Sequence, residues 1–138
     1  MSKNIEGVQI IKLEKKEDER GYFIELIQSQ YVEKQDKFGL VYISQAKAKG
    51  VIKGNHYHTR KTEYFTIIKG NAELHLYEIK TGKRDMIVFG EDNYCMVKVP
   101  PGIVHTFVNI GDGEMILAAY ISEPFNKDDP DTIFHKII

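Results

Sequence analysis

The residues with high β propensity fall in runs of roughly four to nine, and glycine, asparagine, aspartate or proline interrupts them at short, regular intervals. Val8–Leu13, Gly21–Gln28, Gly39–Ala46, Glu63–Ile68, Ala72–Ile79, Arg84–Phe89, Tyr94–Val99, His105–Ile110 and Glu114–Ile121 all read as strands. Within Ala72–Tyr77 the apolar residues Ala72, Leu74 and Leu76 alternate with polar ones, so they share one face of a sheet. Lys69-Gly70-Asn71, Thr81-Gly82-Lys83 and Gly111-Asp112-Gly113 carry hairpin-turn chemistry. No 3.6-residue period persists beyond about two turns, and the tail Asn126–Ile138 has room for one helical turn at Pro130–Phe134 or an edge strand. This pattern predicts an all-β sandwich or barrel, and without a linker or repeat it predicts one domain over residues 1–138.

Composition narrows the function classes. Of 138 residues, 42% are hydrophobic and 28% charged, as in an ordinary globular protein, which excludes wholesale disorder. A net charge of −1 with no long basic tract argues against nucleic acid as a partner. Lys34, Lys37, Lys47, Lys49 and Lys53 are instead scattered, and suit a small anionic substrate. No apolar run approaches the roughly 18 to 20 residues of a spanning helix, and the N-terminus has no signal-peptide core. A lone cysteine, Cys95, makes no internal disulfide and reads as core packing. Together these features predict a cytoplasmic protein with no membrane partner.

The chemistry concentrates in Gly50-Val51-Ile52-Lys53-Gly54-Asn55-His56-Tyr57-His58 and the following Thr59-Arg60-Lys61-Thr62-Glu63. His56 and His58 are two apart, so on a strand both imidazoles project from one face. Glu63 lies at an odd offset from His58, and the polar Thr59-Arg60-Lys61 segment permits a turn that returns it from the next strand. His105 follows a rigid Pro100-Pro101-Gly102 turn. Three imidazoles and a carboxylate form a borderline donor set for a divalent transition metal, zinc foremost, with iron, manganese, cobalt or nickel as alternatives. A coordination position left open for water or substrate is what a catalytic metal needs.

Gly50, His56, His58, Glu63 and Gly70 match the first cupin signature at every spacing. Pro100, Gly102, His105 and Asn109 match the second, with Tyr94 where its first glycine belongs. The chain thus resembles the cupins, which implies a double-stranded β-helix, the jelly-roll barrel. Asp18-Glu19-Arg20-Gly21-Tyr22-Phe23-Ile24-Glu25 and the Gly50–His58 segment are similar to the dTDP-4-dehydrorhamnose 3,5-epimerases. Gly54, His56, Tyr57, His58, Lys61 and Glu63, with the later Glu123-Pro124-Phe125 and Pro130-Asp131-Thr132, resemble the C-terminal cupin domain of capsular-polysaccharide reductase–epimerases. Both relatives act on nucleotide-linked 4-keto sugars.

By position, the resemblance implies that Arg20 and Glu25 hold the nucleotide end of such a substrate. Lys53 takes the place of a substrate-contacting arginine, keeping the charge without the bidentate fork. His56 matches the epimerase general base while also belonging to the metal set (His56, His58, Glu63, His105). The epimerase tyrosine acid aligns near Leu117; Tyr120, three residues on, is the nearby candidate, beside His75 and a metal-bound hydroxide. Tyr57, between two ligands, is a further substrate contact. Arg60 and Lys61 read as a solvated turn, and His135 as surface or interface.

The resulting expectation is a metal-dependent epimerase or ketoisomerase of a nucleotide-linked 4-keto-6-deoxy sugar in surface polysaccharide biosynthesis, acting as a homodimer. Two other classes remain open at this point: a cupin that binds metal and sugar without turnover, and an Fe(II) dioxygenase.

Overall fold

The computed structural model describes residues 4–138. Twelve strands follow one another: β1 Gln9–Lys12, β2 Lys15–Asp18, β3 Gly21–Ile24, β4 Leu40–Ala46, β5 Ile52–Tyr57, β6 Glu63–Lys69, β7 Asn71–Glu78, β8 Arg84–Gly90, β9 Cys95–Val99, β10 Ile103–Asn109, β11 Met115–Ile121 and β12 Ile133–Phe134. One 3-10 turn, Ser29–Tyr31, is the only helical element among the described residues. Two five-stranded antiparallel sheets, β1-β9-β6-β11-β4 and β12-β5-β10-β7-β8, pack face to face. This is the double-stranded β-helix that the cupin resemblance implies. A separate hairpin, β2–β3, belongs to neither sheet.

The buried faces follow the period-2 pattern. Leu74 and Leu76 of β7 meet Phe65 and Ile67 of β6, Phe107 of β10 and Leu117 of β11 in one core. The Phe65 and Phe107 rings meet edge to face at 4.9 Å between centroids, joining the two sheets. Strands β6 and β9 are buried on both faces, because Tyr64, Met96 and Tyr120 form a second cluster on the far side of the first sheet. Ile24, Leu26, Ile27, Tyr31 and Val32 cover that cluster. The Tyr64 hydroxyl donates to Asp36 at 2.5 Å, and Lys98 pairs with Glu33, so the segment after β3 is tied down over this face.

The expected turns fall where glycine and asparagine mark them, but they do different jobs. Thr81-Gly82-Lys83 closes the β7–β8 hairpin. Lys69-Gly70-Asn71 and Gly111-Asp112-Gly113 instead carry the chain from one sheet to the other, so they are sheet-changing corners rather than hairpins. Jelly-roll closure, which the local turn chemistry does not encode, decides this. The tail takes the edge-strand option, with β12 pairing to β5.

Candidate metal centre

The motif residues arrive at one place from both sheets. His56 lies on β5 and His105 on the adjacent β10, paired directly across the ladder. His58 stands just past the end of β5, and Glu63 opens β6 in the opposite sheet. The turn between them, expected from Thr59-Arg60-Lys61, is what returns the carboxylate. Donor nitrogens of His56, His58 and His105 all lie within 4.8 Å of one another. Glu63 Oε2 is 3.3 Å from His105 Nε2, and Oε1 is 3.7 Å from His58 Nε2.

Hydrogen bonds behind the cluster set which nitrogens face it. His58 Nδ1 lies 2.6 Å from the Asp131 carbonyl, and His105 Nδ1 lies 3.2 Å from the Ile103 carbonyl. A carbonyl oxygen only accepts, so each Nδ1 carries the hydrogen and, in the neutral ring, each Nε2 presents a lone pair. His58 Nε2, His105 Nε2 and Glu63 Oε2 are buried atoms without a hydrogen-bond partner. Such groups are costly unless a cation joins them. Burial first, then charge on His105 and His58, lowers the pKa of His56 to about 4, keeping that ring neutral as a ligand must be. Burial disfavours the charged form of Glu63, but His105 and His58 outweigh it and hold the carboxyl well below the usual carboxylate range. The donor set therefore fits a divalent transition metal with mixed nitrogen and oxygen preference.

Two cavities adjoin the cluster and share Tyr42 and His56. One, of about 140 Å³, is lined by Ser44, Lys53, Phe107 and Leu117 as well. The other, of about 300 Å³, reaches Leu40, Lys61, Phe125 and Thr132. The Tyr42 hydroxyl donates to Glu63 Oε1 at 3.1 Å, and burial, then Glu63, pushes its pKa far up, so it stays protonated.

Residues 16–133 match the model of the polysaccharide biosynthesis C-terminal domain family. The chain belongs to this family. Within it and around it, similarity runs to proteins of glycan assembly. The spore coat polysaccharide biosynthesis protein SpsL of Bacillus subtilis (strain 168) is 30% identical over 136 residues, covering 92% of this chain and 86% of SpsL. The probable low-salt glycan biosynthesis epimerase Agl13 of Haloferax volcanii is 28% identical, covering 93% of this chain and 85% of Agl13. The solved dTDP sugar isomerase of Desulfovibrio desulfuricans G20 superimposes with a TM-score of 0.84 at 21% identity, covering 96% of this chain and 85% of that one. At that identity the match speaks for the fold.

Several expected site residues stand away from the cluster. Tyr120 lies on the opposite face of β11 from the core residues Leu117 and Ala119, stacks on Tyr64, and donates to the Lys37 carbonyl at 2.6 Å. Arg20 and Glu25 also stand apart from the cluster. Both are exposed at the β2–β3 hairpin, where Arg20 pairs with Asp18 at 2.7 Å, and neither lines the two cavities. Tyr57 points away from its neighbours His56 and His58 and meets His135 edge to face, 6.5 Å between ring centroids. His75 is on the outer face of β7, 3.0 Å from Glu73, because Leu74 and Leu76 take the core side. Lys53 does line a cavity with His56.

Lys61, read from sequence as solvated, is 3% exposed and donates to the Pro130 carbonyl at 2.9 Å. Arg60 is exposed as expected and pairs with Glu123 and Asp129. Cys95 is buried in the core, and burial pushes its thiol up, in keeping with a packing role. No described helix is long and apolar enough to cross a membrane. Tyr42, which as a strand tyrosine reads as core or rim, and Ser44, which the sequence does not single out, line the cavities, while Asp131 stands behind His58. The signal for the first two is the alternation of β4, whose even-numbered positions are more buried than the odd ones.

Proposed function

We propose that this chain is a cytoplasmic epimerase or ketoisomerase that acts on a nucleotide-linked 4-keto-6-deoxy sugar in surface polysaccharide assembly, with a divalent transition metal, zinc foremost, held by His56, His58, His105 and Glu63. The observation that carries it is the set of buried, unpartnered Nε2 and carboxylate atoms beside two cavities. The names of its relatives, a polysaccharide biosynthesis protein and a glycan epimerase, supply the pathway.

Bound metal would act as a Lewis acid toward a ketone oxygen. The chain's own groups do the rest. His56 serves as ligand rather than base, in line with a pKa lowered to about 4. Lys53 brings a cation to the smaller cavity, suited to stabilise the oxyanion formed when a hydroxide that the bound metal would supply takes the proton from the carbon beside the ketone. Tyr42 presents its hydroxyl oxygen to both cavities, its proton held by Glu63. Return of the proton to the other face of the same carbon gives an epimer. Return to the neighbouring carbon gives a ketoisomer.

In deuterium oxide, zinc-loaded protein is expected to wash deuterium into a dTDP- or UDP-linked 4-keto-6-deoxy sugar at the carbon next to the ketone, read by NMR or mass spectrometry. Tight binding with no label after long incubation overturns turnover and leaves a binding module. That second reading draws on the displacement of Tyr120 from the cavity. Oxygen uptake dependent on Fe(II) would instead support a dioxygenase.

A homodimer is part of the proposal. Strand β4 is an open sheet edge with exposed Val41 and Ile43, an arrangement that a second copy relieves. Light scattering is expected to give about twice the chain mass of 15.9 kDa, and a monomer at assay concentration removes this part.

A further inference from the structure

His58 is the ligand least secured by its own strand. It lies one residue beyond β5, outside the sheet ladder, where its carbonyl accepts a single bond from the Gly102 amide at 2.7 Å. The turn that follows is held instead by a distant piece of chain. Asp131 Oδ1 accepts from the Thr59 amide at 2.8 Å and from the Thr59 hydroxyl at 2.5 Å. Asp131 Oδ2 accepts from the Arg60 amide at 2.8 Å. The neighbouring Pro130 carbonyl takes the Lys61 ammonium. With its side chain committed to the turn, the same residue turns its main-chain carbonyl to His58 Nδ1.

The backbone explains why an aspartate can do both. Asp131 has φ 49°, the left-handed region, which aspartate and asparagine tolerate better than other residues bearing a Cβ. It is 7% exposed, so water does not compete well for these acceptors. An alanine would remove two oxygens that together satisfy three donors, leaving only the Lys61–Pro130 bond and the β12–β5 pairing on either side to hold the carbonyl near the imidazole.

We infer that Asp131 is the positioning residue of the centre: its carboxylate clamps the Thr59–Arg60 turn so that its carbonyl fixes His58 in the Nδ1–H tautomer and aims Nε2 at the other ligands. The inference rests on the metal reading above for its consequence, but the tautomer is a property of the metal-free chain. Loss of the clamp frees the ring to rotate and to take the Nε2–H tautomer, in which the nitrogen facing the cluster has no lone pair to give.

The test uses the full chain, isotopically labelled and metal-free, under mildly alkaline conditions. Two-bond proton–nitrogen correlation NMR reads the His58 tautomer in wild type, Asp131→Ala and Asp131→Asn, and competition with a chromophoric chelator reads zinc affinity in each. Wild type is expected to show Nδ1–H. Asp131→Ala is expected to show a mixture and to bind zinc about 10- to 100-fold more weakly, the usual effect of losing an outer hydrogen-bond partner. Asp131→Asn keeps an acceptor and the left-handed backbone, and should recover most of both. If Asp131→Ala does not fold, Thr59→Val, which deletes one donor of the clamp, is read in the same way and should shift both measurements in the same direction. An Nε2–H tautomer in wild type overturns the inference. So does an unchanged tautomer and affinity in the folded alanine variant. A wild-type Nδ1–H tautomer lost in Asp131→Ala, in a chain that takes up no zinc, supports the positioning role and overturns the metal reading alone.

Discussion

Replacing His105 with alanine is expected to abolish stoichiometric metal binding and the stabilisation that goes with it. His105 is 2% exposed, its Nδ1 is committed to the Ile103 carbonyl, and its Nε2 faces Glu63 at 3.3 Å. No neighbouring donor replaces it, because the other two imidazoles already belong to the same triangle. Losing a direct ligand should exceed the effect of losing an outer partner, so zinc affinity is expected to fall by more than about 100-fold. Zinc at about 1,000 times its dissociation constant would stabilise wild type by about 4 kcal/mol. For a domain of this size that raises Tm by about 10 °C or more.

Elemental analysis and melting curves with and without zinc check both halves. His56→Ala and Glu63→Ala should behave alike, and loss of metal in His56→Ala makes that residue a ligand and not a free base. His75→Ala, on the outer face of β7, should keep both metal and melting shift. Wild type that takes up none of zinc, manganese, iron, cobalt or nickel sinks the centre. His56 would then return as the base of a metal-free epimerase.

Much of the fold is legible from local pattern because an antiparallel strand with one buried face writes its period into the sequence. Leu74, Leu76 and their neighbours on β7 show this. Strand β2, Lys15-Lys16-Glu17-Asp18, shows the opposite case: it is wholly exposed and charged, and only its pairing with β3 makes it a strand. Strand β5 was missed as an element although its histidines were singled out, because Gly54 and Asn55 interrupt any β signal. The convergence of His56, His58, His105 and Glu63 was legible because residues of these types are chemically rare and their spacing is constrained. Lys61 and Asp131 were not, since a charged turn reads as solvated unless one knows that residues some seventy positions away cover it. Tyr120 and Tyr42 face different sides of the first sheet for a geometric reason. Position 120 falls on the face of β11 away from the core, whereas position 42 falls on the cavity side of β4.

Alanine at Gly54 is expected to be among the most damaging single substitutions in the chain. Lys53 and His56 are three residues apart, so on a regular strand they would face opposite sides, yet both line one cavity. The ladder between β5 and β10 explains it: His105 pairs with His56, but Thr106 pairs with Gly54, leaving Asn55 as an extra residue. This is a β-bulge, and one inserted residue reverses the facing of everything before it. Asn55 sits at φ 60° and Gly54 at φ 119°, both outside the ordinary strand region. The bulge is locked by its neighbours. The Asn55 amide donates to the Thr106 hydroxyl oxygen at 3.1 Å, and Asn55 Oδ1 accepts from the Ile137 amide at 2.9 Å.

A Cβ on Gly54 would clash with the His105 carbonyl oxygen, a backbone atom that cannot yield as the end of a flexible side chain does. Gly50 is the matched control. It too has a positive φ, 85°, but a Cβ there meets nothing within 4 Å. Gly50→Ala should therefore cost only the left-handed penalty, about 1 to 2 kcal/mol. Gly54→Ala adds a clash that must move either His105 or the bulge, for a total of about 3 kcal/mol or more. Because the atom displaced belongs to a ligand residue, zinc affinity should fall with stability in Gly54→Ala and not in Gly50→Ala. Equal melting temperatures for the two variants, or unchanged zinc binding in Gly54→Ala, would show that the bulge is not what brings Lys53 and His56 to the same cavity.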